Sequence, residues 1–230
     1  MRILDDKTTG LLWACPQYKD YAGEYQPIED DKKYCKDIAE ELNSWKTRNI
    51  REYITSRDQN LGDYILGYVS PKRRQYLAYE DGELVATVLM EDNSFLAHYV
   101  MLKGYVSYCE SKNYPFGVDG CLKLEDAKRI LETPFKSNNT SIDFLVVKGV
   151  CQSTGIGTRC IQSINKHLGF FSRTKNMNTI NTFIHEDNIA SQKVFERNGF
   201  SKPYRWYEDS TFCQGFDTYY KLGERNENTK

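Results

Sequence analysis

The stretch Val146 to Gly157, VVKGVCQSTGIG, joins an apolar run to a tight cluster of small residues. Gln152, Ser153, Thr154, Gly155, Ile156 and Gly157 stand where a helix begins, so several backbone N–H groups there lack an intrahelical partner and lie at the positive end of the helix dipole. Such a turn binds phosphate oxygens. Glycine at 155 and 157 removes the Cβ atoms that would hold a pyrophosphate away from the main chain. Two familiar phosphate loops do not fit. No GKS or GKT follows the glycines, which excludes the P-loop. A GxGxxG match beginning at Gly155 would need glycine where Cys160 stands, and the stretch from Val147 to Gly155 is long for a dinucleotide fold's tight turn. A nucleotide-binding enzyme stays as an alternative in which ATP or NAD would occupy the site.

Regular elements must hold this turn. Ile142, Phe144, Leu145, Val146 and Val147 suit a buried strand, and Ile156, Cys160, Ile164 and Leu168 repeat every four residues as on one helix face. A strand therefore feeds a helix. Met177 to Ile184 reads as the next strand. Asn188 then caps a helix closed by Asn198, Gly199 and Phe200, with the glycine in a left-handed turn and Phe200 folded back onto Val194 or Phe195. Upstream, Tyr76 to Met90 reads as a hairpin turning at Asp81–Gly82. Ile28 to Trp45 reads as a helix with Tyr34, Cys35, Ile38, Leu42 and Trp45 on one face, and Ile50, Tyr53 and Ile54 suggest a second. Tyr64 to Val69 is expected to be a short strand ended by Ser70–Pro71, with the following KRR run a solvated turn. Phe95, Tyr99, Leu102 and Val106 have helical spacing, as do Leu124, Ala127, Ile130 and Leu131 before Pro134. Lys136 to Thr140 is expected to be a polar loop, and Trp206 and Phe216 to Leu222 terminal strands.

Two elements together resemble the GNAT acyltransferase superfamily. Its cofactor loop carries QxxGxG or RxxGxG after a strand, here Gln152, Gly155 and Gly157. Its NxxSxxxYxxxGF element is similar to residues 188–200, with Asn188, Ser191, Gly199 and Phe200 in place. The resemblance is close from Ser141 to Phe200 and extends back to Tyr76. It implies an α/β fold with a mixed, mostly antiparallel sheet splayed at the cofactor strand and flanked by helices. It further implies an N-acetyltransferase that passes an acetyl group from acetyl-CoA to a primary amine by direct attack on the thioester. By the same resemblance the amides of Gln152, Ser153, Thr154, Gly155, Ile156, Gly157 and Thr158 hold the pyrophosphate. Leu145, Val146 and Val147 pair through their backbones with the pantetheine arm, and Asn188 contacts it while capping its helix. Helices ahead of the central hairpin form one wall of the family's acceptor groove. Residues 1–75, poorly matched and mainly helical, are therefore expected to shape the acceptor site within a single domain spanning 1–230.

Acyl transfer to an amine needs a neutral nucleophile. An amine with pKa about 10.4 lies ~3.4 units from neutrality at pH 7, a cost of roughly 4.6 kcal/mol. A base, or a pocket that disfavours the cation, must offset this. Asp143 is the first candidate base, because it lies on the cofactor strand in alternation with Leu145 and Val147. Glu91, just beyond the hairpin, and His185, just before the Asn188 helix, are the others. Phe195 stands where many members of the family carry a tyrosine that protonates the departing thiolate. That departure motivates a competing reading, a non-catalytic acyl-CoA-binding sensor or regulatory module.

The whole chain narrows the remaining classes. With 31 basic and 32 acidic residues mixed along 230, formal charge −1 and pI about 6.3, no basic stripe points to nucleic acid. The start MRILDDKTTG lacks a basic segment followed by an apolar core, and nowhere do eighteen apolar residues run together, so a soluble cytoplasmic protein without membrane contact is expected. Cys15, Cys35, Cys109, Cys121, Cys151, Cys160 and Cys213 form an odd set without CxxC or zinc-like spacing, which reads as reduced, packed thiols. Cys151 differs in standing beside a helix start that could lower a thiol pKa. His98 and His167 read as structural or exposed, and no metal site is expected. The acceptor stays open between a small-molecule and a peptide amine, as does the state between monomer and homodimer.

Overall fold

The computed structural model describes residues 1–21, 24–45, 60–92, 96–132, 139–172, 179–203 and 216–222. Strands β1 (Arg2–Asp6) and β2 (Leu11–Cys15) pair antiparallel, Arg2 opposite Cys15. A separate hairpin of β3 (Tyr18–Tyr21) and β4 (Glu24–Pro27) precedes helices α1 (Glu29–Ser44) and α2 (Leu61–Tyr68). Central strands β5 (Arg73–Glu80) and β6 (Glu83–Asp92) are followed by α3 (Leu96–Ser111) and α4 (Leu124–Glu132). Strand β7 (Asn139–Val147) leads through a 3-10 turn, Gly149–Cys151, to α5 (Ile156–Lys166) and α6 (Leu168–Phe171). Then come β8 (Thr179–His185), α7 (Ile189–Arg197) and β9 (Phe216–Leu222). The fold is α/β: a mostly antiparallel sheet of order β1-β2-β5-β6-β7-β8-β9 flanked by helices, with β7 and β8 parallel.

The chain forms two compact units, Met1–Glu91 with Asp143–Phe171, and Asp92–Ile142 with Ser172–Lys230. In the first, Ile38 and Leu42 of α1 and Leu61, Tyr64 and Ile65 of α2 close over Leu77, Leu84 and Val146. Gly62 permits this packing, since a Cβ there would stand 2.2 Å from the Ala39 carbonyl oxygen. In the second, Leu102, Tyr105 and Cys109 of α3 and Leu124, Ala127 and Ile130 of α4 pack with Tyr220 of β9. Tyr105 fixes the loop between those helices, donating to Leu122 O at 2.6 Å and accepting from Val118 N at 3.2 Å. Buried Asp92 accepts from Ser172 Oγ at 2.8 Å and Thr140 Oγ1 at 3.2 Å.

The expected hairpin turns at Asp81 (φ 51°) and Gly82 (φ 84°), and α1, α3 and α4 form where the apolar spacing places them. Tyr64 to Tyr68 belong to helix α2, not to a strand, and Val69 caps it in an extended conformation. Leu61, Tyr64 and Ile65 follow the i, i+3, i+4 spacing of a helix face, and burial against α1 decides the matter. The KRR run is not a solvated turn either: Arg73 and Arg74 open β5, and Arg74 is buried. Asn139 and Thr140, expected in a loop, belong to β7. The stretch expected to be mainly helical also contributes β1 and β2 to the sheet. The possible helix at Ile50 to Ile54, Trp206, Cys213 and the start of the strand at Met177 lie outside the described residues.

Candidate active site

Strand β7 buries Val146 in the core of the first unit and packs half-buried Phe144 against it, the Phe144 ring edge-on to Tyr64 at 5.5 Å; Leu145 and Val147 are also half-buried. Its ladder with β8 runs from Asn139 opposite Thr179 to Ile142 opposite Thr182, and β7 continues to Val147. The loop beyond is anchored at its start. Lys148 N donates to Val85 O at 2.9 Å, and Gln152 Nε2 donates back to Val147 O at 3.3 Å.

After Gln152 the chain turns sharply. Ser153 and Gly155 take left-handed conformations, φ 69° and 89°, and the first helical bond is Arg159 N to Gly155 O at 3.0 Å. Among the described residues the amides of Ser153, Gly155, Ile156, Gly157 and Thr158 meet no protein acceptor. Ser153, Thr154 and Gly155 are exposed, and a Cβ at Gly155 would meet nothing within 4 Å. Gly155 is thus required by its φ and not by space. Open donors at a helix start, with no side chain over them, suit an anionic diphosphate.

The family model of the acetyltransferase (GNAT) family matches residues 35–200. The chain belongs to this family. Acetyl-CoA is the acetyl donor of GNAT enzymes. No curated protein matches the chain by sequence. Among solved structures, the aminoglycoside acetyltransferase AAC(6')-Ib with paromomycin and acetyl-CoA is 18% identical, with TM-score 0.49, over 84% of this chain and 92% of that one. Spermidine N-acetyltransferase from Vibrio cholerae, with CoA and spermine, is 12% identical, with TM-score 0.49, over 94% and 98%. The GNAT domain of S. lividans PAT is 10% identical, with TM-score 0.46, over 92% and 90%.

Within this GNAT chain, two of the three candidate bases meet around one arginine. Arg73, directly opposite Glu91 in the β5–β6 register, places Nη2 2.8 Å and Nε 3.0 Å from Glu91 Oε2. The same Nε lies 3.3 Å from Asp143 Oδ2. Both carboxylates are largely sheltered, with side chains 16% and 19% exposed. His185 belongs to the second unit, where its Nδ1 accepts from Asp187 N at 3.2 Å and lies 3.7 Å from Asp187 Oδ2.

Asn188 caps α7, accepting from Ser191 N at 3.2 Å. Gly199 takes φ 83°, and Phe200 returns onto Phe195 with rings perpendicular at 5.0 Å. Phe195 is buried core. Cys151 is a free, half-buried thiol, and among the described residues no cluster of His, Cys, Asp and Glu could hold a metal. No described helix is long and apolar enough to cross a membrane.

Sequence reasoning missed the carboxylate that supports α5. Asp6, 2% exposed, accepts from the hydroxyls of Thr9, at 2.8 Å, and Ser163 and from Thr8 N at 3.0 Å. Burial pushes its pKa up, but the bonds from Ser163, Thr9 and Thr8, with the His167 ring close by, outweigh burial and hold the carboxyl well below the usual carboxylate range. A depressed folded-state pKa gives stability that is fully present above the unfolded value, about 3.9, and is lost as pH falls towards the folded value. Asp6→Asn is therefore expected to cost about 2 kcal/mol at pH 7. In urea unfolding the gap to the unaltered protein should narrow below about pH 4.

Proposed function

We propose that this GNAT protein acetylates a primary amine: the neutral amine attacks the acetyl thioester of bound acetyl-CoA, forming a C–N bond as the C–S bond breaks. The open amides of Ser153, Gly155, Ile156, Gly157 and Thr158, in the turn and first helical residues that follow β7, carry this reading. In it Gln152, Ser153, Thr154, Gly155, Ile156, Gly157 and Thr158 form the diphosphate cradle. The backbones of Leu145, Val146 and Val147 align the pantetheine arm, and Asn188 adds a side-chain contact to it. Asp143, on the cofactor strand, takes the amine proton; Glu91 anchors Arg73 beside it, and His185 is the alternative base. Residues 1–75, with α1 and α2, shape the acceptor site, which receives a small-molecule or peptide amine. The protein works in the cytoplasm as a monomer or homodimer.

Calorimetry with CoA, followed by thiol release from acetyl-CoA against polyamines, amino acids, aminoglycosides and peptides, tests the reading. Binding together with amine-dependent release is expected. Buried Phe195 favours a second reading, an acyl-CoA sensor, and tight binding without release above hydrolysis for every amine would establish that one instead. With a thiol pKa near 8.5, protonation of the leaving sulfur at pH 7 is favourable by about 2 kcal/mol, so solvent can supply the proton. Phe195→Tyr is accordingly expected to change kcat by no more than about threefold, measured at saturating donor and amine.

A further inference from the structure

We infer that the β1–β2 turn, Asp6 to Gly10, is a positioning device for the cofactor helix, acting through Asp6, Thr9, Arg159 and Ser163. The inference rests on the proposed diphosphate site at the start of α5. Ile156, Cys160, Ile161 and Ile164 bury the apolar face of α5. Apolar contact is non-directional, however, and presses a helix down without fixing where it stops along its axis. A slip of one residue moves a helix by about 1.5 Å, more than a hydrogen bond between amide and phosphate tolerates. Axial position has to come from directional contacts.

Those contacts run along one side of α5. Arg159, Ser163, Lys166 and His167 are spaced i, i+4, i+7 and i+8, and all four meet the same turn. Arg159 Nη1 donates to Thr9 O at 3.0 Å, while its Nη2 pairs with Glu80 Oε1 at 2.6 Å. Ser163 Oγ donates to Asp6 Oδ2 and lies 2.9 Å from Thr9 Oγ1. Lys166 Nζ donates to Thr8 Oγ1, and His167 Nε2 lies 3.3 Å from Asp6 Oδ1. The turn is itself held, with Gly10 N donating to Asp6 O at 2.9 Å and Gly10 at φ 69°. A partly buried polar network of this kind contributes little net stability over apolar packing of the same shape. What it supplies here is a single axial setting for the amides one to three residues ahead of Arg159. The turn lies outside the matched residues 35–200, so a segment beyond the family match serves the family's cofactor site.

Arg159→Met and Ser163→Ala, singly and combined in the full chain, test this by CoA calorimetry and by kinetics with acetyl-CoA and an amine, at temperatures where circular dichroism shows the variants folded. In the combined variant the Kd for CoA and the KM for acetyl-CoA should rise at least about tenfold, while kcat at saturating donor and the acceptor KM stay within about twofold. Arg159→Lys, which keeps the charge but loses the fork, should fall between. A merely structural network would lower the melting temperature and leave donor KM alone, or degrade every parameter together. Either result overturns the proposal. Absence of CoA binding by the unaltered chain would sink the diphosphate site and this inference with it; normal binding with insensitive variants sinks only the positioning role.

Discussion

Gly157→Trp should weaken binding of coenzyme A by at least about 1,000-fold while leaving the protein folded. Gly157 is half-buried in the first turn of α5, among amides that meet no protein acceptor. Each charge-assisted hydrogen bond from such an amide to a phosphate contributes about 1.5–3 kcal/mol. An indole over the cradle removes two or more, and about 4 kcal/mol corresponds to a thousandfold in Kd. The fold has little to lose, because glycine is a poor helix former and tryptophan a better one. Calorimetry with CoA beside a thermal melt reads both halves of the expectation. Affinity kept within about threefold in a variant melting normally would move the diphosphate away from this helix.

Much of the local backbone around the candidate site was legible because its signals are local. The glycine loop, the Asp81–Gly82 turn and the Asn188–Phe200 helix each depend on residues within a few positions of one another, and backbone geometry follows from them directly. Arg73 was not legible. Counting outward from Glu80 opposite Glu83, an unbroken hairpin would set Lys72 opposite Glu91, yet a register shift at Ala78/Tyr79 places Arg73 there. A bulge moves one strand by a residue and turns its later side chains to the other face, and no residue type in this stretch announces it. The strands β1 and β2 escaped for another reason. LLWAC is five residues long, too short for periodicity to separate strand from helix, and its partner β1 carries Asp5 and Asp6. Asp6 gains its link to α5 from Ser163 and His167, more than 150 positions away. Tyr64 to Val69 failed in the opposite sense: a short aromatic and β-branched run has strand propensity, and packing on α1 overrode it.

Asp143→Asn is expected to lower kcat/KM for the amine by about 10²- to 10⁴-fold, the range of a lost general base. Glu91→Gln should cost less. Arg73 Nη2 and Nε lie 2.8 and 3.0 Å from one oxygen of Glu91, and the same Nε lies 3.3 Å from Asp143 Oδ2. Glu91 also faces Arg73 directly across the β5–β6 ladder, so cross-strand pairing accounts for it in full. Asp143 stands two residues before Leu145 on the strand that continues past its ladder with β8. There a carboxylate can accept the proton whose removal from a lysine-type amine costs roughly 4.6 kcal/mol at pH 7. If Asp143 is the base, raising the pH supplies neutral amine without its help, and the gap between Asp143→Asn and the unaltered enzyme should close towards pH 10. A constant gap from pH 7 to 10 would assign Asp143 to positioning alone. A loss confined to His185→Gln, with Asp143→Asn within about threefold of the unaltered rate, would move the base to the end of β8.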